Sequence, residues 1–140
     1  MSKTIFITGA GSGLGKGAAI GLAKKGHRVI ATTETTSQKT ALMREIREMD
    51  LDMEVFKLDI TNPIDQREIE KVDFDIFVAN AAINEGGPLA EIPMERFRAI
   101  FEVNVFATLE TAQLAAKKLV KKGKGKIVFF SGCIRSAIKG

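Results

Sequence analysis

Lys3-Thr4-Ile5-Phe6-Ile7-Thr8-Gly9-Ala10-Gly11-Ser12-Gly13-Leu14-Gly15 decides how the rest of the chain is read. A short apolar run ends at Thr8, and glycines follow at 9, 11, 13 and 15. The next stretch is apolar at Leu14, Ala18, Leu22 and Ala23 and closes at Gly26. This pattern predicts a strand, a glycine turn and a helix with a glycine stop. The first amides of a helix lack intrahelical acceptors and carry the positive end of its dipole, so such a turn suits a pyrophosphate. Glycines let the backbone approach phosphates with no Cβ in the way. A second apolar run, His27-Arg28-Val29-Ile30-Ala31-Thr32, completes a βαβ unit, the context in which a glycine cluster reads as a dinucleotide fingerprint. The competing readings are a structural turn in an α/β protein and a site for some other phosphate ligand.

Outward from that unit, strand and helix patterns alternate with no internal repeat. Strands are expected at 3–8, 27–32, 53–58, 74–80 and 126–131, and helices at 14–25, 37–49, 63–71 and 94–122. Asn62-Pro63 gives a cap followed by proline at the first helical position, Pro93 opens the long helix, and Gly123 and Gly125 end it. Near-continuous apolar strands such as Ile127-Val128-Phe129-Phe130 fit a parallel sheet covered on both faces. Ligands of such sheets sit beyond the C-terminal strand ends. Thr8, Thr33, Asp59, Asn80 and Ser131 all fall at such ends.

The spacing Thr8-Gly9-x-x-x-Gly13-x-Gly15 resembles the short-chain dehydrogenase/reductase family, and the resemblance continues in order along the whole chain. Asp59 resembles the family's adenine-contacting aspartate. Val78-Ala79-Asn80-Ala81-Ala82 resembles its Asn-Asn-Ala-Gly segment, departing from it at Ala79 and Ala82. Asn104, in Val103-Asn104-Val105, resembles the mid-helix asparagine of its catalytic tetrad, and Lys126 to Gly132 its strand toward the catalytic serine. The resemblance implies a Rossmann-type doubly wound sheet, order 3-2-1-4-5, in one domain over 1–140. It implies NAD(P)-dependent hydride transfer between an alcohol and a ketone. It places cofactor contacts at Gly9, Gly11, Ser12, Gly13, Leu14, Gly15, Thr33, Glu34, Asp59, Ile60, Asn80, Ala81 and Ala82, catalytic groups at Asn104 and Ser131, and no metal ligands.

Cofactor choice turns on the end of the second strand. Thr33 falls where NAD-preferring relatives carry aspartate, Glu34 follows it, and Ser12 stands where NADP-preferring relatives often carry a cation. A carboxylate there disfavours a 2′-phosphate, so NAD is expected ahead of NADP. The other readings are Glu34 as a solvent-facing loop residue, and Arg28 or Lys57 reaching a phosphate. Asp59 also reads as a turn residue. Asn104, inside an apolar helical pattern, either finds a polar partner or faces water. In the family this asparagine kinks its helix and holds a water of the proton relay.

The family's acid/base tyrosine and its lysine four residues on have no counterpart, because the chain contains no tyrosine. The serine position falls on Gly132, with Ser131 one residue early and Ser136 reachable only by a different loop path. The expectation is the nucleotide-binding half of such an enzyme, binding cofactor with little or no turnover. The alternative is a non-catalytic dinucleotide-binding or scaffold module that pairs with a partner. Missing neighbours would leave an apolar edge, so homo-oligomerisation is expected.

Composition sets the remaining bounds. The 140 residues are 45% hydrophobic and 27% charged, ordinary for a soluble globular chain. The net charge is +4, and its one dense patch, Lys117 to Lys126, reads as a solvated helix end and not as a nucleic-acid site. Cys133 is the one cysteine, which excludes an internal disulfide and fits the cytoplasm. No apolar stretch approaches the ~18 residues of a membrane span.

Overall fold

The computed structural model describes residues 1–84 and 86–130. Its centre is a five-stranded sheet in the order β3-β2-β1-β4-β5. The strands are β1 (Thr4–Ile7), β2 (Arg28–Thr33), β3 (Glu54–Lys57), β4 (Ile76–Ala79) and β5 (Lys126–Phe129), and every pairing is parallel. The expected order is therefore the observed one; β1, β3, β4 and β5 are drawn in by one or two residues at one or both ends, whereas β2 is shifted one residue on and ends at Thr33.

Strand periodicity of two divides the apolar side chains between two cores. Ile5 and Ile7 of β1, with Val29, Ala31 and Val78, face α1 (Gly13–Lys24) and α2 (Thr36–Glu48) through Ala19, Leu42 and Ile46. Phe6, Ile30, Phe77 and Ala79 face the other way. There Ile69 of α4 (Glu68–Lys71) and Ala115 and Leu119 of α6 (Thr108–Lys122) close over them. Phe6 is the hub of this second core, with ring centroids 5.4 Å from Phe77, 5.5 Å from Phe74 and 5.8 Å from Phe56. Aromatic contacts at these separations add to area burial.

Two expected helices differ in detail. The 63–71 helix is two single turns, α3 (Pro63–Gln66) and α4, joined at Arg67. Asn62 caps α3 as anticipated, its side-chain oxygen accepting from Ile64 N at 2.9 Å. The 94–122 helix runs as α5 (Met94–Phe101), a π-helical segment Glu102–Ala107, and α6. Pro93 is its cap residue, directly before the first helical residue Met94, and Gly123 ends it at φ +82.

The lysine patch differs from expectation. Lys118 Nζ donates to the carbonyls of Ile69 at 3.3 Å, Glu70 at 2.9 Å and Val72, satisfying carbonyls at the end of α4. Burial pulls its ammonium below the usual lysine range, against the pull of Asp73 and Glu70. Lys122 binds Asp73 at 3.2 Å and Asp75 at 3.0 Å, while the other oxygen of Asp75 accepts from Thr4 N at 2.8 Å. Two of the patch lysines are thus clamps that tie α6 to α4 and to the start of β4.

Candidate functional site

The ends of β1 and β4 are locked together. The Thr8 hydroxyl oxygen accepts the amides of Asn80 and Ala81, each at 3.1 Å. Asn80 Nδ2 donates back to the Thr8 carbonyl at 3.1 Å and to the Gly9 carbonyl at 3.0 Å. This lock explains two of the glycines. A Cβ on Gly9 would lie 2.6 Å from Ala81 Cα, and one on Gly15 would lie 2.1 Å from Asn80 Nδ2 and 2.5 Å from the Gly9 carbonyl oxygen. Both glycines serve the docking of the turn onto β4. Gly11 abuts α2, where a Cβ would meet Gln38 Cδ at 2.8 Å. Gly13 differs: at φ +57 its added Cβ would find open space.

With the turn held, α1 begins in an uncommon way. Its cap residue Ser12 is extended, at φ −162 and ψ 170, and makes no side-chain capping bond. Ser12 usually would supply that bond at this position. The amides of Gly13, Leu14 and Gly15 therefore have neither an intrahelical acceptor nor the cap hydroxyl. No acidic residue stands in this turn. Lys16 is turned away, bound to Glu45 at 3.1 Å. Beside these amides lies an apolar trough of about 460 Å³ lined by Gly13, Leu14, Gly17, Ala18, Phe129 and Phe130. Leu14 is 79% exposed in it. A dipole end with unused donors next to an apolar trough suits a ligand that is anionic at one point and apolar at another. The residues present thus fit a dinucleotide: amide donors for a pyrophosphate, and a backbone kept bare where it must pass.

At the end of β2, Thr33 is fully buried and its hydroxyl donates to the Thr35 carbonyl at 3.0 Å. Its side chain is thus committed to the turn. Glu34 is exposed, with its amide donated to Gln38 Oε1 at 3.1 Å. Thr35 and Gln38 form a reciprocal capping box at the start of α2. The two cations that might have met a 2′-phosphate are engaged elsewhere. Arg28 is at the opposite end of β2, paired with Glu54. Lys57 is 2.6 Å from Asp65 Oδ2, whose hydrogen bond raises the lysine's pKa.

Asp59 forms a turn: its Oδ1 accepts the Thr61 amide at 2.9 Å and hydroxyl at 2.7 Å. The side chain of Ile60 is in the core, and its carbonyl accepts from Gln66 Nε2 at 2.7 Å. Asp65 supports this corner by accepting the Asp59 amide at 2.8 Å. Burial pushes its carboxyl up, but Lys57 and the Asp59 amide outweigh that and hold it below the usual carboxylate range.

Asn104 has a partner. Its Oδ1 accepts the Ile83 amide and its Nδ2 donates to the Ile83 carbonyl, both at 2.8 Å. This two-point clamp joins the π-helical segment to the backbone just past β4. The Thr108 hydroxyl takes up the Val103 carbonyl at 2.9 Å within the same distorted turn. π-Segments of this kind are frequent at functional sites.

The structure thus gathers Gly9, Gly11, Ser12, Gly13, Leu14 and Gly15 with Asn80 and Ala81 around one strand end. Ala82 is exposed just beyond them. Glu34 is linked to Gly11 through Gln38, Thr33 precedes it at the end of β2, and Asp59 and Ile60 form a separate corner past β3. Ser131, Gly132, Cys133 and Ser136 lie outside the described residues, as does Glu85. Three contributors were not singled out from sequence, Gln38, Ile83 and the Phe129-Phe130 wall, and Thr8 was placed at a strand end with no role given to its hydroxyl. The Thr35-x-x-Gln38 spacing is a capping-box signature that could have flagged Gln38. Ile83 contributes only main chain, which leaves no trace in residue type.

A parallel sheet with a glycine turn entering an uncapped helix defines a Rossmann-type α/β protein. The short chain dehydrogenase family model matches residues 3–135, and the chain belongs to that family. It is 35% identical over 135 residues to a diacetyl reductase [(S)-acetoin forming] of Staphylococcus epidermidis, covering 91% of this chain and 52% of that protein. Among solved structures, it resembles a 7α-hydroxysteroid dehydrogenase complexed with NADH and 7-oxo glycochenodeoxycholic acid, with TM-score 0.79 and 30% identity over 92% of this chain and 52% of the other. It also resembles a short-chain dehydrogenase from Sphingobium yanoikuyae in complex with NADPH, with TM-score 0.76 and 27% identity over 91% and 52% of the two chains. The chain spans about half the length of the relatives it matches. Among the described residues, no helix is long and apolar enough to cross a membrane, and no group of three His, Cys, Asp or Glu could hold a metal ion.

Proposed function

We propose that this chain is the coenzyme-binding part of an NAD(H)-dependent oxidoreductase acting on a secondary alcohol or ketone. The observation that carries the reading is the uncapped first turn of α1, whose Gly13, Leu14 and Gly15 amides would hold the pyrophosphate. Glu34 would accept the ribose 2′-hydroxyl, Asp59 and the Ile60 main chain would meet the adenine edge, and Asn80 to Ala82 would floor the site. Leu14 and the trough beside it would seat the nicotinamide. When bound, the coenzyme supplies the hydride at nicotinamide C4. Asn104 acts from behind, fixing Ile83 at the reacting end of the site. The chain has no tyrosine, and the resemblance makes tyrosine the acid/base, so this chain alone binds coenzyme with little or no turnover. Ser131 is retained as the candidate carbonyl-polarising group, in the reducing cytoplasm that a single cysteine fits.

NAD is preferred over NADP because Glu34 stands at the end of β2 while Arg28 and Lys57 are bound to other carboxylates. A like-charge contact at such an exposed, screened position costs about 1–2 kcal/mol, roughly tenfold in affinity. Titration followed by nicotinamide fluorescence tests the reading. Saturable NADH binding supports it, and no binding of either coenzyme contradicts it.

A second reading, a non-catalytic module that associates with another chain, is favoured by one observation. Phe101, Phe106 and Leu109 on the 94–122 helix, at 56%, 54% and 50% exposure, form an open apolar face. Self-association through it would appear in light scattering as a mass that grows with concentration. A monomer at all concentrations removes self-association through that face.

A further inference from the structure

We propose that Gln38 is the positioning residue for coenzyme selectivity, holding the Glu34–Thr35 backbone against the glycine turn. The inference rests on the NAD(H) reading above. Gln38 Oε1 accepts two successive amides, Glu34 N at 3.1 Å and Thr35 N at 3.4 Å. Both partners are N–H donors, so the carboxamide oxygen must face them and the orientation of the amide is settled by chemistry. Gly11 packs on the same carboxamide, where even a methyl group would come within 2.8 Å of Cδ and 2.9 Å of Oε1. The turn that would carry the pyrophosphate and the loop that would carry the 2′-hydroxyl contact are therefore joined through one half-buried side chain.

The physical consequence concerns Glu34. Its side chain is exposed, and an unheld loop would let its carboxylate drift from a 2′-phosphate at little cost. Repulsion discriminates only if the charge is kept in place, and the loss of loop freedom must already be met in the folded protein. Gln38 fixes this loop from the helix side and the Thr33 hydroxyl fixes it from the strand side, through the Thr35 carbonyl at 3.0 Å. Among the described residues, Gln38 Nε2 has no acceptor, so the oxygen alone carries the tether.

Capping and tethering are separable. Thr35 Oγ1 accepts the Gln38 amide at 3.2 Å, which is the other half of the capping box and makes no contact with Glu34 N. Thr35→Ala should therefore weaken the start of α2 while leaving Gln38 Oε1 on Glu34. Gln38→Ala loses the tether to Glu34 N and the side-chain half of the capping box, while its backbone amide can still reach Thr35 Oγ1. Gln38→Glu keeps an acceptor for both amides and adds a negative charge near the 2′ position.

The test measures dissociation constants for NADH and NADPH, and thermal midpoints, in the full chain and these three variants. Gln38→Ala should cut the NADPH/NADH ratio of constants about threefold or more, Gln38→Glu should hold or raise it, and Thr35→Ala should leave it unchanged. Thr35→Ala and Gln38→Ala should lower the midpoint similarly. An unchanged ratio in Gln38→Ala, a lowered ratio in Gln38→Glu, or a fall in the ratio for Thr35→Ala equal to that for Gln38→Ala each overturns the proposal. If Gln38→Ala does not fold, the contrast between Gln38→Glu and Thr35→Ala decides. A wild type that binds both coenzymes equally, or NADPH better, overturns the Gln38 role but leaves dinucleotide binding standing. A wild type that binds neither refutes the underlying reading itself.

Discussion

Replacing Gly15 with alanine adds one methyl group at the point where β1, β4 and α1 meet. That methyl would lie 2.1 Å from Asn80 Nδ2 and 2.5 Å from the Gly9 carbonyl oxygen, so at least one neighbour must move by more than 1 Å. The Gly9 oxygen is backbone inside the turn and cannot yield without moving the turn. Asn80 is the group that gives, and it gives up its bonds to the Thr8 and Gly9 carbonyls. Two hydrogen bonds are worth about 2 kcal/mol together, and forced repacking adds about 1–3 kcal/mol. The sum, about 3–5 kcal/mol, is a large share of the ~5–15 kcal/mol that holds a typical domain folded. In urea, with a slope near ~2 kcal/mol per molar, the midpoint should fall by about 2 M by circular dichroism. A Gly15→Ala midpoint within about 0.3 M of wild type would refute the lock. A double-mutant cycle gives a sharper check: in an Asn80→Ala background the contact with Nδ2 and its two hydrogen bonds are already gone and only the contact with the Gly9 oxygen remains, so the two losses should be less than additive by about 1–2 kcal/mol.

Gly21→Ala should act in the opposite sense, because its Cβ enters open space inside α1: stability should rise by about 0.5–1 kcal/mol, a thermal midpoint gain of about 3 °C in calorimetry. Asn104→Ala removes both bonds to Ile83 and should cost about 2 kcal/mol in urea unfolding. Asn104→Asp should not rescue it, because a second oxygen would then face the Ile83 carbonyl. The Thr4 amide and Lys122 hold the Asp75 carboxyl below its usual range against the opposing pull of burial. A depressed carboxylate contributes stability above its unfolded value and loses it as pH falls through the folded one. The gap between wild type and Asp75→Asn should thus be full above about pH 5 and close below about pH 4, and a gap that widens on acidification would contradict the assignment.

Sheet order and the glycine turn were legible because buried parallel strands are short apolar runs and a βαβ unit leaves its punctuation in sequence. The π-helical segment was legible only through the family resemblance, which implies a kink at Asn104. Glu102 to Ala107 keep the composition of a helix, and the pull that distorts them comes from the Ile83 backbone some twenty residues away. The break at Arg67 was hidden for a similar reason: Gln66 turns aside to bond the Ile60 carbonyl and Glu110, a contact across the fold. Lys118 looked like a solvated helix end because sequence shows its charge but not the carbonyls at the end of α4 that need donors. The glycines carry the clearest limit. Four of them share one turn, yet Gly9 and Gly15 are small for the sake of β4, Gly11 for the sake of Gln38, and Gly13 alone meets open space. Residue type cannot separate a glycine needed by the protein from one left bare for a ligand.

A pyrophosphate seated on the first-turn amides of α1 would change the surroundings of those amides on binding. Amide chemical shifts followed by ¹H–¹⁵N correlation spectroscopy during an NADH titration test it directly. The largest, saturable shifts are expected at Gly13, Leu14 and Gly15. Saturable binding that leaves these three resonances in place while distant amides move would contradict it.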